Sequence, residues 1–256
     1  MMAVWTTVVI VACAVFLVVL ERMRPYDSGQ RLLRSGFLND LLMYGIVQSY
    51  VMGVVIFAII GFVDQHTSFE RIRAIRELPL WLQLGASLVV HDFYIYWFHR
   101  WQHASPMLWR THEAHHSTQD VDWLSGSRSH SVEILINQTV EFLPILLFAS
   151  AEVAVLKGCI DAVWGMYIHA NIDVRSGALQ YVINGPEMHR WHHASDDAAH
   201  NKNFSTKLAI WDWLFGTAYR PANVKPSGYG IGPYPTSYIG QHLYAFRRSS
   251  SQGQES

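Results

Sequence analysis

His99 and His103 stand four residues apart in HRWQH, at the end of an apolar run. On a helix that spacing sets both imidazoles on one face, about 5–6 Å apart at Cβ, within reach of one metal ion. His112, His115 and His116 in HEAHH follow an i, i+3, i+4 pattern, and His189, His192 and His193 in HRWHH repeat it. Each triplet therefore converges on one stripe of its own helix. His130 in GSRSHSVE and His169 in YIHAN flank the apolar region that separates the triplets. Ten imidazoles exceed the needs of one ion and suit two, with a place on each left for oxygen or water. A thiolate-free, carboxylate-poor set fits borderline metals such as iron, zinc or copper, and structural zinc would need only four ligands and a closed shell.

A single histidine is more often an ordinary hydrogen-bonded or exposed residue than a ligand. Three same-face groups in one chain reverse that reading, whereas His66, His91, His200 and His242 keep it. His91 lies two turns before His99 and is the one of these four that could be recruited. Asp92, seven residues before His99, falls on nearly the same helical face and is expected to hold an imidazole N–H. Glu113 and Asn171 are candidates for the same supporting role, followed by Glu133, Asp173 and Glu187. Tyr96, three residues before His99, is the better pocket candidate among the aromatics Phe93 to Phe98, and Trp191 inside HRWHH is a second. An interfacial aromatic belt is the plain alternative for that group.

These side chains need a scaffold, and composition says what kind. Half of the 256 residues are apolar, 15% are charged and the mean hydropathy is +0.10, which points to a lipid-embedded, all-α bundle. The 19 basic and 20 acidic side chains leave no basic field for a nucleic-acid backbone. Fourteen histidines stand against four lysines, and Cys13 and Cys159 form no CxxC and no disulfide framework. Ala3 to Leu20 and Leu41 to Val63 are uncharged and long enough to span a bilayer. The first lacks the flanks of a cleaved signal peptide and reads as a retained anchor. A third run starts at Leu78 and ends in the first histidines. Ile134 to His169, interrupted by Glu141, Lys157, Asp161 and the Ala149-Ser150-Ala151 group, reads as a hairpin of two shortened or partly buried helices.

The expected architecture is an integral-membrane bundle of about four to five membrane helices with a histidine-rich helical cap. Residues 1–77 would be anchor helices, 78–221 the catalytic domain, and 222–256 a loop-rich, partly disordered tail. Arg22, Arg24, Arg31 and Arg34 follow the first span, against Arg71, Arg73 and Arg76 after the second. The positive-inside rule then puts the histidine clusters on the cytoplasmic face. Their meeting at one face follows from the alternation of spans, whichever way the bundle is inserted.

In order and spacing, HDFYIYWFHRWQH, LWRTHEAHHS, SRSHSVE, YIHAN, HRWHH and IWDWLFGT closely resemble the fatty acid hydroxylase and sterol desaturase superfamily. The likeness runs from about Leu78 to Pro221, and its three histidine boxes are specific in combination, weak singly. The chain has HSVE where the family often has HPxE. Carried over residue by residue, the resemblance implies metal ligands at His99, His103, His112, His115, His116, His130, His169, His189, His192 and His193. It places Asn203 and Trp211-Asp212 in a segment packed below the metals. It further implies two iron ions, replaceable by zinc in expressed protein, dioxygen as co-substrate, and hydroxylation or desaturation of an unactivated C–H bond. The substrate would be a membrane lipid: fatty acyl, sterol-like or alkyl. Without a Gly-rich dinucleotide fingerprint, iron–sulfur cysteines or a flavin motif, electrons would come from an external reductase, ferredoxin or cytochrome b5-like donor.

Three rival readings fit less well. A metal transporter would place ligands at mid-membrane in repeated spans. A haem carrier would need only facing histidine pairs. A scaffold that had lost activity would not keep every ligand position occupied.

Overall fold

The computed structural model describes residues 2–66 and 75–247. Arg71 and Arg73 and the tail residues 248–256 lie outside the described residues. Five long helices carry the bundle: α1 Met2–Met23, α2 Phe37–His66, α3 Leu80–Ala104, α5 Ser131–Phe148 and α6 Ala151–His169. Between and after them come α4 Pro106–His116, α7 Pro186–His192, α8 Ile210–Leu214 and α9 Tyr238–Tyr244. No strand occurs among the described residues, only two isolated bridges.

Val4–Met23, Phe37–His66 and Ser131–Phe148 are long and apolar enough to cross a membrane. Their outward side chains remain uncovered, with Val11 57%, Val15 59% and Phe57 69% exposed. A water-soluble protein would bury so large an apolar belt, so lipid is its solvent. Helices α3 and α6 complete the bundle and turn their polar residues inward, among them His91, Lys157 and His169. The hairpin breaks at Ala149 and Ser150, where extended backbone ends α5 and starts α6. At that end Arg76 donates to the Leu146 and Ala149 carbonyls, at 3.0 and 3.1 Å, satisfying groups a helix terminus leaves open.

The other end is polar and tightly bonded. Residues Asp40–Gln48 of α2 form a π-helical stretch that turns Asp40, Tyr44 and Gln48 inward together. Asp40 pairs with Arg34 and Arg128, each at 2.7 Å, and Arg34 also reaches Asp122 at 2.8 Å. Glu21 at the end of α1 accepts from the backbone N–H of Trp123 and Asn171. Asn171 bonds Asp27 through both side-chain atoms, at 2.9 Å each. The connection after α1 is thus clamped to the segments that flank the histidines, and helix alternation brings the C-terminal ends of α3 and α6 to the same place. Within the stretch expected to be loop, α9 forms on its Ser237 cap and docks on α2, Tyr44 donating to Gln241 Oε1 at 2.5 Å.

Candidate metal centre

Nine of the ten candidate histidines converge in two groups. His99, His103, His112, His116 and His192 form one; His115, His169, His189 and His193 form the other. Within each group the ligating atoms all lie within 4.8 Å of one another. The i+3 and i+4 members of the HEAHH stripe divide between the groups, His115 going to the second and His116 to the first.

The partners of the far ring nitrogens fix the tautomers. His99 Nδ1 bonds the Phe204 carbonyl at 2.8 Å, and His192 Nδ1 the Lys202 carbonyl at 2.8 Å. His115 Nδ1 bonds the Arg128 carbonyl at 3.0 Å, and His169 Nδ1 the Gly165 carbonyl at 2.7 Å. His112 Nδ1 bonds the Glu133 carboxylate at 2.9 Å. Carbonyls and carboxylates only accept, so each Nδ1 carries the proton and each Nε2 a bare lone pair. Yet His99 Nε2 faces His112 Nε2 at 3.0 Å in the first group, and His115 Nε2 faces His169 Nε2 at 3.3 Å in the second. Two lone pairs at that separation repel unless a cation lies between them. His103, His116 and His192 add buried Nε2 atoms without a hydrogen-bond partner. The residues present therefore fit one metal ion in each group.

Burial holds His112, His116, His189, His192 and His193 well below the usual imidazole value of 6.5, with neighbouring imidazoles adding to the effect, and lowers His115 as well. Neutral imidazole is the ligating form. Below 6.5 the unfolded chain binds more protons than the folded one, so stability must fall as pH falls through that value. Stripped of metal with a chelator, the protein is expected to melt at progressively lower temperature from pH 7 to pH 5. The metal-loaded protein should hold its melting temperature further down. A flat profile for the stripped protein would contradict neutral buried imidazoles.

His130 is not brought to either group. Its Nδ1 accepts from the Val132 N–H at 3.1 Å to cap α5, and its ring stacks on His242 at 4.5 Å. The expected supporting acids also need correction. Asp92 holds no imidazole and instead accepts from Thr206, Lys207, Leu208 and Trp211, pinning the loop before α8. Glu113 pairs with Arg247 at 2.8 Å and Asn171 with Asp27. Glu133, ranked lower from sequence, is the acid that touches a ligand. Glu133→Ala is expected to weaken metal binding about 10- to 100-fold, while Glu113→Ala leaves metal content unchanged by mass spectrometry. The reverse order would refute this assignment. Tyr96 is fully buried against Phe215 and Thr217, and Trp191 packs on Tyr219; neither lines a cavity at the histidines.

Two further residues shape the surroundings of the ligands, Asp212 from the IWDWLFGT motif and Gly126, to which the sequence assigns no role. Asp212 accepts from the Phe204 and Ser205 N–H groups and from Thr217 Oγ1, which holds the Phe204 carbonyl against His99. Gly126 lies so close to His169 that an added Cβ would stand 2.5 Å from Nδ1 and 2.8 Å from Cε1. Gly126→Ala should displace the His169 ring and lower the metal content of the second group, with the first retained. Full occupancy of both groups in that variant would contradict the packing.

The nine histidines also form a wall between two cavities. His99, His112, His115, His169 and His189 face one of about 210 Å³ that runs between α3, α5 and α6. His103, His116, His192 and His193 face one of about 570 Å³ bounded by Trp109, His200 and Gly230. No histidine lines both.

An apolar helical bundle that gathers nine imidazoles at one end, eight of them buried and His103 half-buried, defines a histidine-rich, membrane-embedded metal-binding protein. The chain belongs to the fatty acid hydroxylase family, whose model matches residues 84–217, and it is an oxidoreductase. It is 30% identical over 257 residues to the ornithine lipid hydroxylase OlsE of Rhizobium tropici, covering 95% of this chain and 76% of that protein. It is 33% identical over 137 residues to alkylglycerol monooxygenase of Homo sapiens, covering 54% of this chain and 30% of that enzyme. Methylsterol monooxygenase 1-3 of Arabidopsis thaliana is 26% identical over 161 residues, 57% of this chain and 52% of the relative. No solved structure matches the chain.

Proposed function

We propose that this protein hydroxylates an unactivated C–H bond of a membrane lipid, using two iron ions held by the nine histidines and electrons from a separate donor. The observation that carries the reading is the pair of facing, unprotonated Nε2 atoms in each group, 3.0 Å apart in one and 3.3 Å in the other. Iron, when bound, supplies the reduction of dioxygen that imidazole and carboxylate cannot perform. The balance is R–H, O2, two electrons and two protons giving R–OH and water. The chain's own residues orient the imidazoles through the Phe204, Arg128 and Lys202 carbonyls and the Glu133 carboxylate. They also shield the centre from water, because His99, His112, His189 and His193 are each no more than 6% exposed.

The relatives are named as hydroxylases or monooxygenases, which favours hydroxylation over desaturation. The relative that matches along nearly the whole chain bears a name that makes ornithine lipid the first substrate to try. Arg22, Arg24 and Arg31 are exposed at the histidine end, and with the positive-inside rule they support a cytoplasmic centre. A soluble ferredoxin, reductase or cytochrome b5-like donor could reach it there.

The test is iron analysis and Mössbauer spectroscopy of iron-grown protein in detergent, followed by turnover with a chemical reductant under 18O2 and mass analysis of the lipid. Two irons per chain and one 18O in the product are expected. No label in any lipid from a two-iron sample would overturn the hydroxylase reading.

A further inference from the structure

Away from the histidine wall, the 210 Å³ cavity ends in ionisable side chains from α3, α5, α6 and the loop before α8: His91, Glu141, Asp161 and Lys207. Lys157 stands behind them, fully buried, and donates to His91 Nδ1 at 2.8 Å, to Asp161 Oδ2 at 2.6 Å and to Glu141 Oε1. Those three bonds use every N–H of its ammonium. An ammonium only donates, so His91 Nδ1 accepts and the ring proton lies on Nε2. That Nε2 is buried and makes no hydrogen bond, the Glu141 Oε2 atom standing 3.5 Å away. Lys207 reaches Asp161 Oδ1 at 2.6 Å and has no other ammonium partner among the described residues. The far end of the cavity thus presents unsatisfied donors on His91 and Lys207 beside an acceptor on Glu141.

The charges decide what fits. Lys157 is paired with Glu141 and Asp161, and Lys207 with Asp161, so each charge at this end of the cavity already has an opposite charge beside it. A guest of net charge would leave an uncompensated buried ion, and an alkyl chain would strand the open donors out of water. A neutral guest carrying one positive and one negative group satisfies both demands. Along α6, Asp161 lies eight residues before His169, roughly 12 Å at the helical rise, which sets the depth between the cluster and the ligand wall.

We propose that this chamber binds a zwitterionic amino-acid headgroup of the lipid, its carboxylate on Lys207 and His91 and its ammonium on Glu141. The proposal rests on the reading that the centre acts on a membrane lipid. Its test uses binding to the full-length protein, stripped of metal, in detergent, followed by native mass spectrometry. The probes share one pair of tails: a lipid of amide-linked ornithine with ammonium and carboxylate free, its methyl ester, and its N-acetyl derivative. The zwitterion should bind at least about tenfold more tightly than either, the scale of one charge-assisted hydrogen bond. Lys207→Met should abolish the preference over the methyl ester, and Glu141→Gln the preference over the N-acetyl form. Equal binding of the three probes by the unsubstituted protein would overturn the proposal, even where a variant fails to fold. So would selectivity that survives both substitutions. Equal binding alongside labelled product would leave the hydroxylase standing, whereas selective binding without labelled product would remove the hydroxylase and keep the headgroup site.

Discussion

His169→Ala and His192→Ala, one substitution in each histidine group, are expected to abolish hydroxylation and to lower the iron content below two per chain. His169 is the hub of the second group: its Nε2 lies 2.9 Å from His189, 3.2 Å from His193 and 3.3 Å from His115. His192 contributes a buried Nε2 with no other partner to the first. An ion that contributes several kcal/mol to the transition state corresponds to roughly 10³-fold or more in rate. His130→Ala is the control, because its ring caps α5 and stacks on His242. It should keep both irons and lose only about 1 kcal/mol of stability. Two irons and near-normal turnover in His169→Ala would dispose of the two-group centre; iron loss in His130→Ala would return that residue to the ligand set.

Arg190→Met is expected to cost about 3–6 kcal/mol of stability, the sum for losing two hydrogen bonds from a charged donor, since the Ala170 carbonyl keeps the Ile172 N–H and the Val121 carbonyl keeps the Gln30 side-chain amide. Arg190 sits inside HRWHH but is no ligand. Fully buried, it donates to the Ala170 carbonyl at 2.8 Å and the Val121 carbonyl at 3.1 Å. Its guanidinium lies 4.8 Å from the centre of the Tyr26 ring. The residue therefore ties α7 to the turn after α6, to the loop before His130 and to the segment after α1. Arg190→Lys should recover only part of the loss, since an ammonium cannot reproduce the planar fork. Thermal unfolding in detergent measures both, and the iron spectrum reports whether His189 and His193 have shifted. An unchanged melting temperature in Arg190→Met would show that the guanidinium's bonds contribute nothing to the fold.

The sequence reading failed where depth or direction mattered more than face. Asp92 shares a helical face with His99, but seven residues separate them, about 10 Å along the axis, and at that depth its neighbours are the Thr206 hydroxyl and the Lys207 and Leu208 amides. Glu113 adjoins His112 in sequence, yet one helical step rotates it about 100° away, toward Arg247. Glu133 succeeds from a different helix, which no spacing could announce. The carbonyls of Phe204, Arg128 and Lys202 were equally hidden, because every residue has a carbonyl and nothing in the sequence marks which will meet a ring nitrogen. Gly126 left no trace beyond its type, because its role is the space that His169 fills.

Local periodicity alone determined the bundle class, the break near Ala149, the three same-face histidine sets and their meeting at one end, because these depend on helical rise and on apolar length. Packing between helices decided the rest: the division into five and four ligands, the exclusion of His130, and the lone pairs turned toward each other. Those features are distances between side chains far apart in the chain. They are set by how α3, α4, α6 and α7 fit together, which the spacing along any one of them does not contain.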